Sequence, residues 1–403
     1  MDAVIAYLAG ELDMEIYMSP PEGIPNTKGR VCKLKRGLYG LRQSGRLWNR
    51  RFTKELRRLG FRPTTADPSV WTRGRDLILV IYVDDVLLIA RDSHELRTLK
   101  NDLSKAFKMK DLGEVQDVLG LRIRRDRSKR LLWIDQSHYV ADILKEFNHL
   151  QCKPVSTPAD GYANLERQAH GEPYEDIVKY QHALGRLNWL VRGTRPDLTF
   201  VIHKLSQFCQ QPYAAHWAGV RRVLRYLKGS QDLSLRYKRE SQPILTGYSD
   251  ADFTADTTDR KSTMGYVYTL YGAAVTWGTR KQKSISTSTT EAEYVGLCNA
   301  AKEAVWLRTL MKDLGRAEYA GGSQATRLYG DNQGALKLVA NPEFHARSKH
   351  IDIQYHYVRE LAEQGTIAVE YIPTEKMLAD CLTKPLNAPR FKANLEQLGL
   401  RTS

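Results

Sequence analysis

Two adjacent carboxylates, Asp84 and Asp85, interrupt an apolar stretch that reads D-L-I-L-V-I-Y-V-D-D-V-L-L-I-A from Asp76 to Ala90. Each flanking run is too short for a helix and has strand composition, so the pattern predicts a β-hairpin with the acids at its turn. Asp is common in turns, and turn chemistry alone accounts for one such pair. Electrostatics argues further: like charges against an apolar hairpin repel and resist burial, and a cation relieves both costs. A magnesium ion held by a few carboxylates and completed by substrate phosphates meets that demand.

A second set of acids lies in the C-terminal half. Asp250 ends one strand pattern and Asp331 a later one, where the ligand sites of α/β sheets lie. In the helical run between them, Ser288-Thr-Thr-Glu291 fits a capping box, which gives Glu291 a structural role. Glu293 instead heads the stripe Glu293, Leu297, Ala300, Ala304, Leu307, Met311, so it points with the apolar face and needs a partner, an Arg or a metal. Asp380, taken alone, reads as a surface acid with Lys384 at i+4 for a salt bridge. Asp252, Asp256 and Asp259 read as solvated loop acids. Convergence of Asp250, Glu293, Asp331 and Asp380 would suit a two-metal site, whose ions, about 3.5–4 Å apart, stabilise the attacking and leaving oxygens of a phosphodiester.

The elements that must position these groups follow from periodicity. Val31–Tyr39 reads as a strand, and Ser44–Leu59 as a basic amphipathic helix with Leu47, Phe52, Leu56 and Leu59 on one side. With Trp48 present, its basic face suits solvent and a phosphate backbone equally. A helix is expected over Ser93–Met109 with Ser93 as its cap, then strands at Val118–Arg124 and Leu131–Ile134 and a helix over His138–Phe147. β-rich with helices on one side, residues 1–150 suit an α+β palm-like layer. Residues 151–240 are mostly helical, broken at Arg195-Pro196 and Gln211-Pro212, and their arginines (186, 192, 195, 221, 222 and 225) suggest a basic module on a polyanion or a plain solvated surface. From 241 to 403, strands near Ile244–Ser249, Gly265–Leu270, Ala273–Trp277, Thr326–Tyr329 and Thr366–Ile372 alternate with helices, including a long one over Ser288–Leu314 closed by Gly315, as in a separate α/β domain.

The chain's 403 residues carry 61 Lys and Arg against 46 acids, a net charge of +15 that favours a polyanionic partner, nucleic acid before a membrane surface. No run of about 18 apolar residues is present, which excludes a transmembrane helix. The five scattered Cys form no C-x-x-C pair and suit reduced thiols in an intracellular compartment, cytoplasm or nucleus.

Taken together, several ordered blocks resemble the reverse transcriptase of copia-type LTR retrotransposons. They include Tyr82-Val-Asp-Asp85, Lys35-Arg-Gly-Leu-Tyr-Gly-Leu-Arg-Gln-Ser-Gly-Arg-Leu-Trp48, Lys110-Asp-Leu-Gly113, Gly193-Thr-Arg-Pro-Asp197 and Arg222-Val-Leu-Arg-Tyr-Leu-Lys-Gly229. Tyr248-Ser-Asp-Ala-Asp252, Asp259-Arg-Lys-Ser262, Ser288-Thr-Thr-Glu-Ala-Glu-Tyr294, Gly330-Asp-Asn332 and Lys349-His-Ile-Asp352 resemble that family's ribonuclease H domain. The resemblance implies a partial α+β polymerase palm, a helical thumb or connection, and an α/β ribonuclease H-like domain. It implies Asp2, Asp84 and Asp85 as polymerase ligands of two Mg²⁺ ions, with Mn²⁺ able to substitute. Gln43, with Arg42 beside it, and Tyr82 would lie near the incoming deoxynucleoside triphosphate and the template-primer, and Lys110 would assist the leaving pyrophosphate. Asp250, Glu293, Asp331 and Asp380 match the hydrolase set, which would act on the RNA strand of an RNA–DNA hybrid.

Two departures shape the expectations. Asp2 opens the chain, so the fingers that contact the triphosphate are expected to be missing and polymerase activity impaired, unless self-association or upstream polyprotein segments supply them. The segment Ile372–Asp380 lacks the His that many ribonucleases H carry there, which bears on product release. The competing reading is a non-enzymatic, repurposed remnant that holds nucleic acid without turnover.

Overall fold

The computed structural model describes all residues except 26–28, 163–164, 166–171, 242, 254–259, 341–348 and 403, and no side chains over 349–355. Asp256, Asp259 and the side chains of the Lys349–Asp352 block therefore lie outside the described residues. The chain divides into two compact units, one of residues 1–115 with 309–317 and one of 116–308 with 318–403.

The first unit is built on the hairpin expected from the opening pattern. Its strands are Leu77–Tyr82 and Asp85–Ala90, paired from Leu77 opposite Ala90 to Tyr82 opposite Asp85. Val83 takes a positive φ of 56° in the two-residue turn, as such tight hairpins demand. Leu77, Leu79 and Ile81 are buried at alternate positions, so one face of the hairpin seals the core. The short strand Asp2–Ala3 adds beside the second hairpin strand and pairs on its other side with Met109–Lys110, within a six-stranded sheet. The basic helix forms as Ser44–Arg58, with Leu47, Phe52 and Leu56 buried. Trp48 is buried as well, packed at 5.1–5.2 Å ring separations against Phe52 and Phe107, and its Nε1–H donates to the Val83 carbonyl at 2.6 Å. Trp48 therefore belongs to the core and not to the basic face of the helix: an aromatic with one polar tip is worth more inside, where that tip ties down the turn. The expected strand at Val31–Tyr39 shrinks to Cys32–Lys33, because Ser44 closes a loop on Leu38, taking a hydrogen bond from its N–H and donating one to its carbonyl. The next helix is Ser93–Ala106, capped by Asp92 and not by Ser93; the Asp92 carboxylate accepts the N–H groups of His94 and Glu95.

The second unit holds two five-stranded sheets and a helical layer that share one apolar core. The helices are Ile177–Gly193, Thr199–Ser206 and Ala214–Gly229, with breaks where the prolines fall. Three of their arginines are engaged by acids, while Arg192 and Arg221 are exposed. Arg195 is buried and forked onto Asp197 at 2.7 and 2.9 Å, Arg186 pairs with Glu146, and Arg222 with Asp160. One sheet is antiparallel, in the order Leu400–Thr402, Leu233–Lys238, Leu131–Asp135, Leu121–Asp126, Asp117–Val118. Leu400–Thr402 is too short to show a period; Leu233–Lys238 does alternate, as L-S-L-R-Y-K, but stands outside the expected strands, next to a run read as helical.

The other sheet runs in the order Ala273–Lys281, Thr263–Leu270, Thr246–Asp252, Thr326–Gly330, Ile367–Tyr371. The first three strands are antiparallel and the last three parallel. The long helix Thr289–Asp313 buries Leu297, Ala300, Ala304 and Leu307, the predicted stripe, and Gly315 follows with a positive φ. This mixed sheet with its helix is the α/β ribonuclease H-like layer the blocks imply. Among the described residues, no helix is long and apolar enough to cross a membrane, and all five cysteines are free.

Two candidate acidic centres

In the first unit, register places the acids. Asp2 is the cross-strand partner of Asp85 on one side and of Lys110 on the other. Ala3 donates its N–H to the Asp84 carbonyl at 2.8 Å, so Asp2, Asp84 and Asp85 share one end of the sheet. All three are half-buried. Burial pushes the Asp85 carboxyl up, and the charges of Asp84 and Asp2 push it further. Tyr82 is 61% exposed and sits opposite Asp85 across the turn. Arg42 is exposed, and Gln43 opens the basic helix without capping it. Among the described residues, no side-chain hydrogen bond or ion pair ties Arg42, Gln43, Tyr82 or Lys110 to the three acids.

Convergence is tighter in the second unit. Asp250, Glu293 and Asp331 bring one carboxylate oxygen each within 4.8 Å of the others, the single such group of three acids or other metal-ligating side chains among the described residues. Asp250 lies on the central strand, Asp331 just beyond the adjacent parallel strand, and Glu293 in the first turns of the long helix. Glu291 takes the capping role: its carboxylate accepts from the Thr287 N–H and hydroxyl, while its own N–H donates to Ser288 Oγ. Two glycines permit the close approach. A Cβ at Gly296 would meet Ser249 Oγ at 3.3 Å, so the helix lies against the strand one turn beyond Glu293. A Cβ at Gly265, the cross-strand partner of Asp250, would meet Leu382 Cβ and Thr383 Cγ2 at 2.9 Å. Without it, the segment Leu378–Leu382 lies on the sheet beside Asp250.

That segment carries Asp380, which is fully buried and not the surface acid its local sequence suggests. Lys384 does pair with it, Nζ to Oδ1 at 2.8 Å, and Lys384 Nζ also lies 3.5 Å from Asp250 Oδ2. Arg390 donates to the other Asp380 oxygen, and Thr383 Oγ1 donates to Asp250 Oδ2. Asp331 accepts from Thr374 Oγ1 at 2.8 Å. Asp252 is not a solvated acid either: it is half-buried and takes the Tyr162 hydroxyl.

The electrostatics follow from crowding. Burial raises the Glu293 carboxyl well above its ordinary range, and the charges of Asp250 and Asp331 add to it. Burial and then Asp250 push Asp380 up to about 7. Asp331 rises for the same reasons, partly offset by its bond from Thr374. Burial alone would lower the Lys384 ammonium, but Asp250, Asp380 and Asp331 together hold it above its usual value. A concentration of negative charge this large, buried and only partly neutralised by Lys384 and Arg390, fits a divalent cation. Thr374, Thr383 and Arg390 were not legible as parts of the site, since each lies on a separate short element with no spacing signal. Lys384 was, through its i+4 relation to Asp380.

With this geometry established, similarity to known proteins extends over the chain. Residues 1–160 match the family model described as reverse transcriptase (RNA-dependent DNA polymerase). The chain is 38% identical to the retrovirus-related Pol polyprotein from transposon TNT 1-94 of Nicotiana tabacum, over 100% of this chain and 31% of that protein. It is 34% identical to a putative transposon Ty5-1 protein of Saccharomyces cerevisiae, over 73% of this chain and 97% of the relative. The foamy viral protease-reverse transcriptase, solved in complex with RNA/DNA hybrid, aligns at a TM-score of 0.50 and 14% identity over 93% of this chain and 43% of that chain, a likeness of fold. The chain spans less than a third of the length of the Pol polyproteins it matches, 31% of one and 27% of two others.

Proposed function

The chain belongs to the reverse transcriptase family of Ty1/copia-type retrotransposon Pol polyproteins, and from that membership we propose that its C-terminal acidic centre hydrolyses the RNA strand of an RNA–DNA hybrid. The observation that carries the proposal is the meeting of Asp250, Glu293 and Asp331 within 4.8 Å, three buried or half-buried acids from three separate elements. These three would hold divalent metal, with Asp380 beside them; when bound, Mg²⁺ or Mn²⁺ would supply charge neutralisation and an activated water to phosphodiester hydrolysis. The chain's own residues do the positioning. Thr383 orients the Asp250 carboxylate, Thr374 that of Asp331, and Lys384 and Arg390 fix Asp380 from two sides. Lys384, 3.5 Å from Asp250, also offsets part of the negative charge of the centre. The foamy viral protein of the same fold was solved holding an RNA/DNA hybrid, which supports that substrate here.

For the first unit we propose nucleotidyl transfer on a template-primer with deoxynucleoside triphosphates, supported by the family match over residues 1–160 and by the Asp2–Asp85 register. Asp2, Asp84 and Asp85 would be its metal-binding acids.

Cleavage of a labelled RNA–DNA hybrid by the whole chain, in Mg²⁺ and in EDTA, tests the main proposal. Asp331→Asn should lower Mg²⁺-dependent cleavage by more than about a hundredfold. Equal cleavage by wild type and variant overturns the assignment of this centre, and none by wild type overturns the proposal in favour of a binding protein without turnover. Primer extension measured alongside, with Asp84→Asn as its control, tests the second assignment independently.

A further inference from the structure

The chain's positive charge concentrates on a surface that neither acidic centre uses. The segments 116–136, 233–240 and 400–402 hold the five strands of the antiparallel sheet and turns beside them, and they carry ten Lys or Arg against four acids, much of the chain's net +15. Strand alternation sorts these groups by face. Ile123, Ile134, Leu235 and Leu400 point to the core, where Leu235 and Leu400 are buried and the neighbouring Tyr237 hydroxyl donates to the Ala274 carbonyl. The opposite face therefore carries Arg122, Arg124, Trp133, Arg236, Lys238 and Arg401. Register sets Trp133 directly between Arg124 on one neighbouring strand and Arg236 on the other. Trp133, Arg236 and Arg122 are all partly exposed. Arg124 is tied to the buried Asp135, and Arg401 and Lys238 to Glu396 and Glu240, whereas Arg122 and Arg236 have no carboxylate partner among the described residues.

We infer that this sheet face binds the sugar-phosphate backbone of a nucleic-acid strand, with Arg122 and Arg236 contacting phosphates and Trp133 packing on the sugars between them. Arg124 and Arg236 stand two strand spacings apart, roughly 9–10 Å. Phosphates along one strand of a duplex advance by about 3.4 Å each, so the face spans several nucleotides and not a single anion. Polyanion recognition by arginines around a flat aromatic fits this chemistry. The inference rests on the nucleic-acid reading above and gives that substrate a second point of attachment.

Binding of a fluorescent RNA–DNA hybrid by the whole chain, measured by anisotropy across a salt series in Ca²⁺, tests it. Arg122→Gln with Arg236→Gln should weaken binding roughly three- to tenfold and flatten the log-log salt dependence by about 2, near 0.9 for each phosphate no longer neutralised. Trp133→Ala should weaken binding while leaving that slope unchanged. Arg124 is left intact because it neutralises buried Asp135, and an unchanged Mg²⁺-dependent thermal stabilisation shows that the variants fold. Wild-type affinity and slope in the double variant overturn the inference while the nuclease reading stands. Failure of the wild type to bind any hybrid overturns the nucleic-acid reading itself. Loss of binding to phosphatidylserine vesicles with hybrid binding unchanged overturns it in favour of a lipid surface.

Discussion

At the residue scale, the acidic centre is unstable without a counter-ion. Glu293, Asp331 and Asp380 all have folded-state pKa values above their ordinary ones, Asp380 at about 7. The folded protein therefore keeps protons that the unfolded chain releases, and stability falls as pH rises. In EDTA the thermal midpoint should drop between about pH 4 and pH 7, and the gain on adding Mg²⁺ should be larger at the upper end of that window. A flat or rising metal-free profile contradicts the assignment of these shifts. By the same logic, Asp331→Asn removes one repelling charge, so its metal-free midpoint should equal or exceed that of the wild type while its response to Mg²⁺ shrinks. Arg195 behaves in the opposite way. It is fully buried and donates to both Asp197 oxygens and to Ser230, and Tyr226 donates to Asp197 as well. Arg195→Met should cost about 3–5 kcal/mol, because it strands a buried carboxylate, and adding Asp197→Leu should recover much of that. Denaturant unfolding of the two variants distinguishes the pair from a solvated arginine.

At the element scale, the site depends on how closely segments approach each other, and this explains what sequence does and does not reveal. The hairpin at Asp84-Asp85, the capping role of Glu291 and the buried stripe behind Glu293 were all legible, because each is written in a spacing of two, three or four residues. The burial of Asp380 was not. Its immediate neighbours are apolar, but an Asp with Lys384 at i+4 reads as a surface salt bridge, and the segment reaches the sheet because Gly265, 115 positions earlier, leaves room for Leu382 and Thr383. Gly265→Val should therefore cost about 1–3 kcal/mol by overpacking. It should also weaken Mg²⁺ binding by moving Thr383 off Asp250, which calorimetric titration of Mg²⁺ would read; an unaltered Mg²⁺ affinity would show that this hydrogen bond does not position the acids. The place of Trp48 is hidden for a related reason. Its charged neighbours mark a surface helix, but its own face of that helix is the one turned to Phe52, Phe107 and the Val83 carbonyl.

At the scale of the whole molecule, two strands outside the expected set tie distant parts of the second unit together. Leu400–Thr402 pairs with Leu233–Lys238, and Trp277 Nε1–H donates to the Val191 carbonyl at 2.8 Å. Leu187, Leu205, Val267 and Leu398 lie in one continuous core. A fragment starting at residue 241 would expose that core and leave the C-terminal strand unpaired, so it should aggregate or unfold non-cooperatively by circular dichroism, unlike the whole chain. Cooperative unfolding of the fragment at the parent's midpoint would show instead that residues 241–403 stand alone. The pairing of remote strands also gathers the arginines of the cationic sheet face, which in the linear sequence look like three unrelated basic patches.

The account stands on Asp250, Glu293 and Asp331 forming one divalent-cation site. Titration of Mn²⁺ into the whole chain, with bound and free ion separated by electron paramagnetic resonance, measures this directly. The wild type should bind Mn²⁺ that is lost in Asp331→Asn and in Asp250→Asn but retained in Asp84→Asn. Indistinguishable titrations for wild type, Asp331→Asn and Asp250→Asn would contradict it.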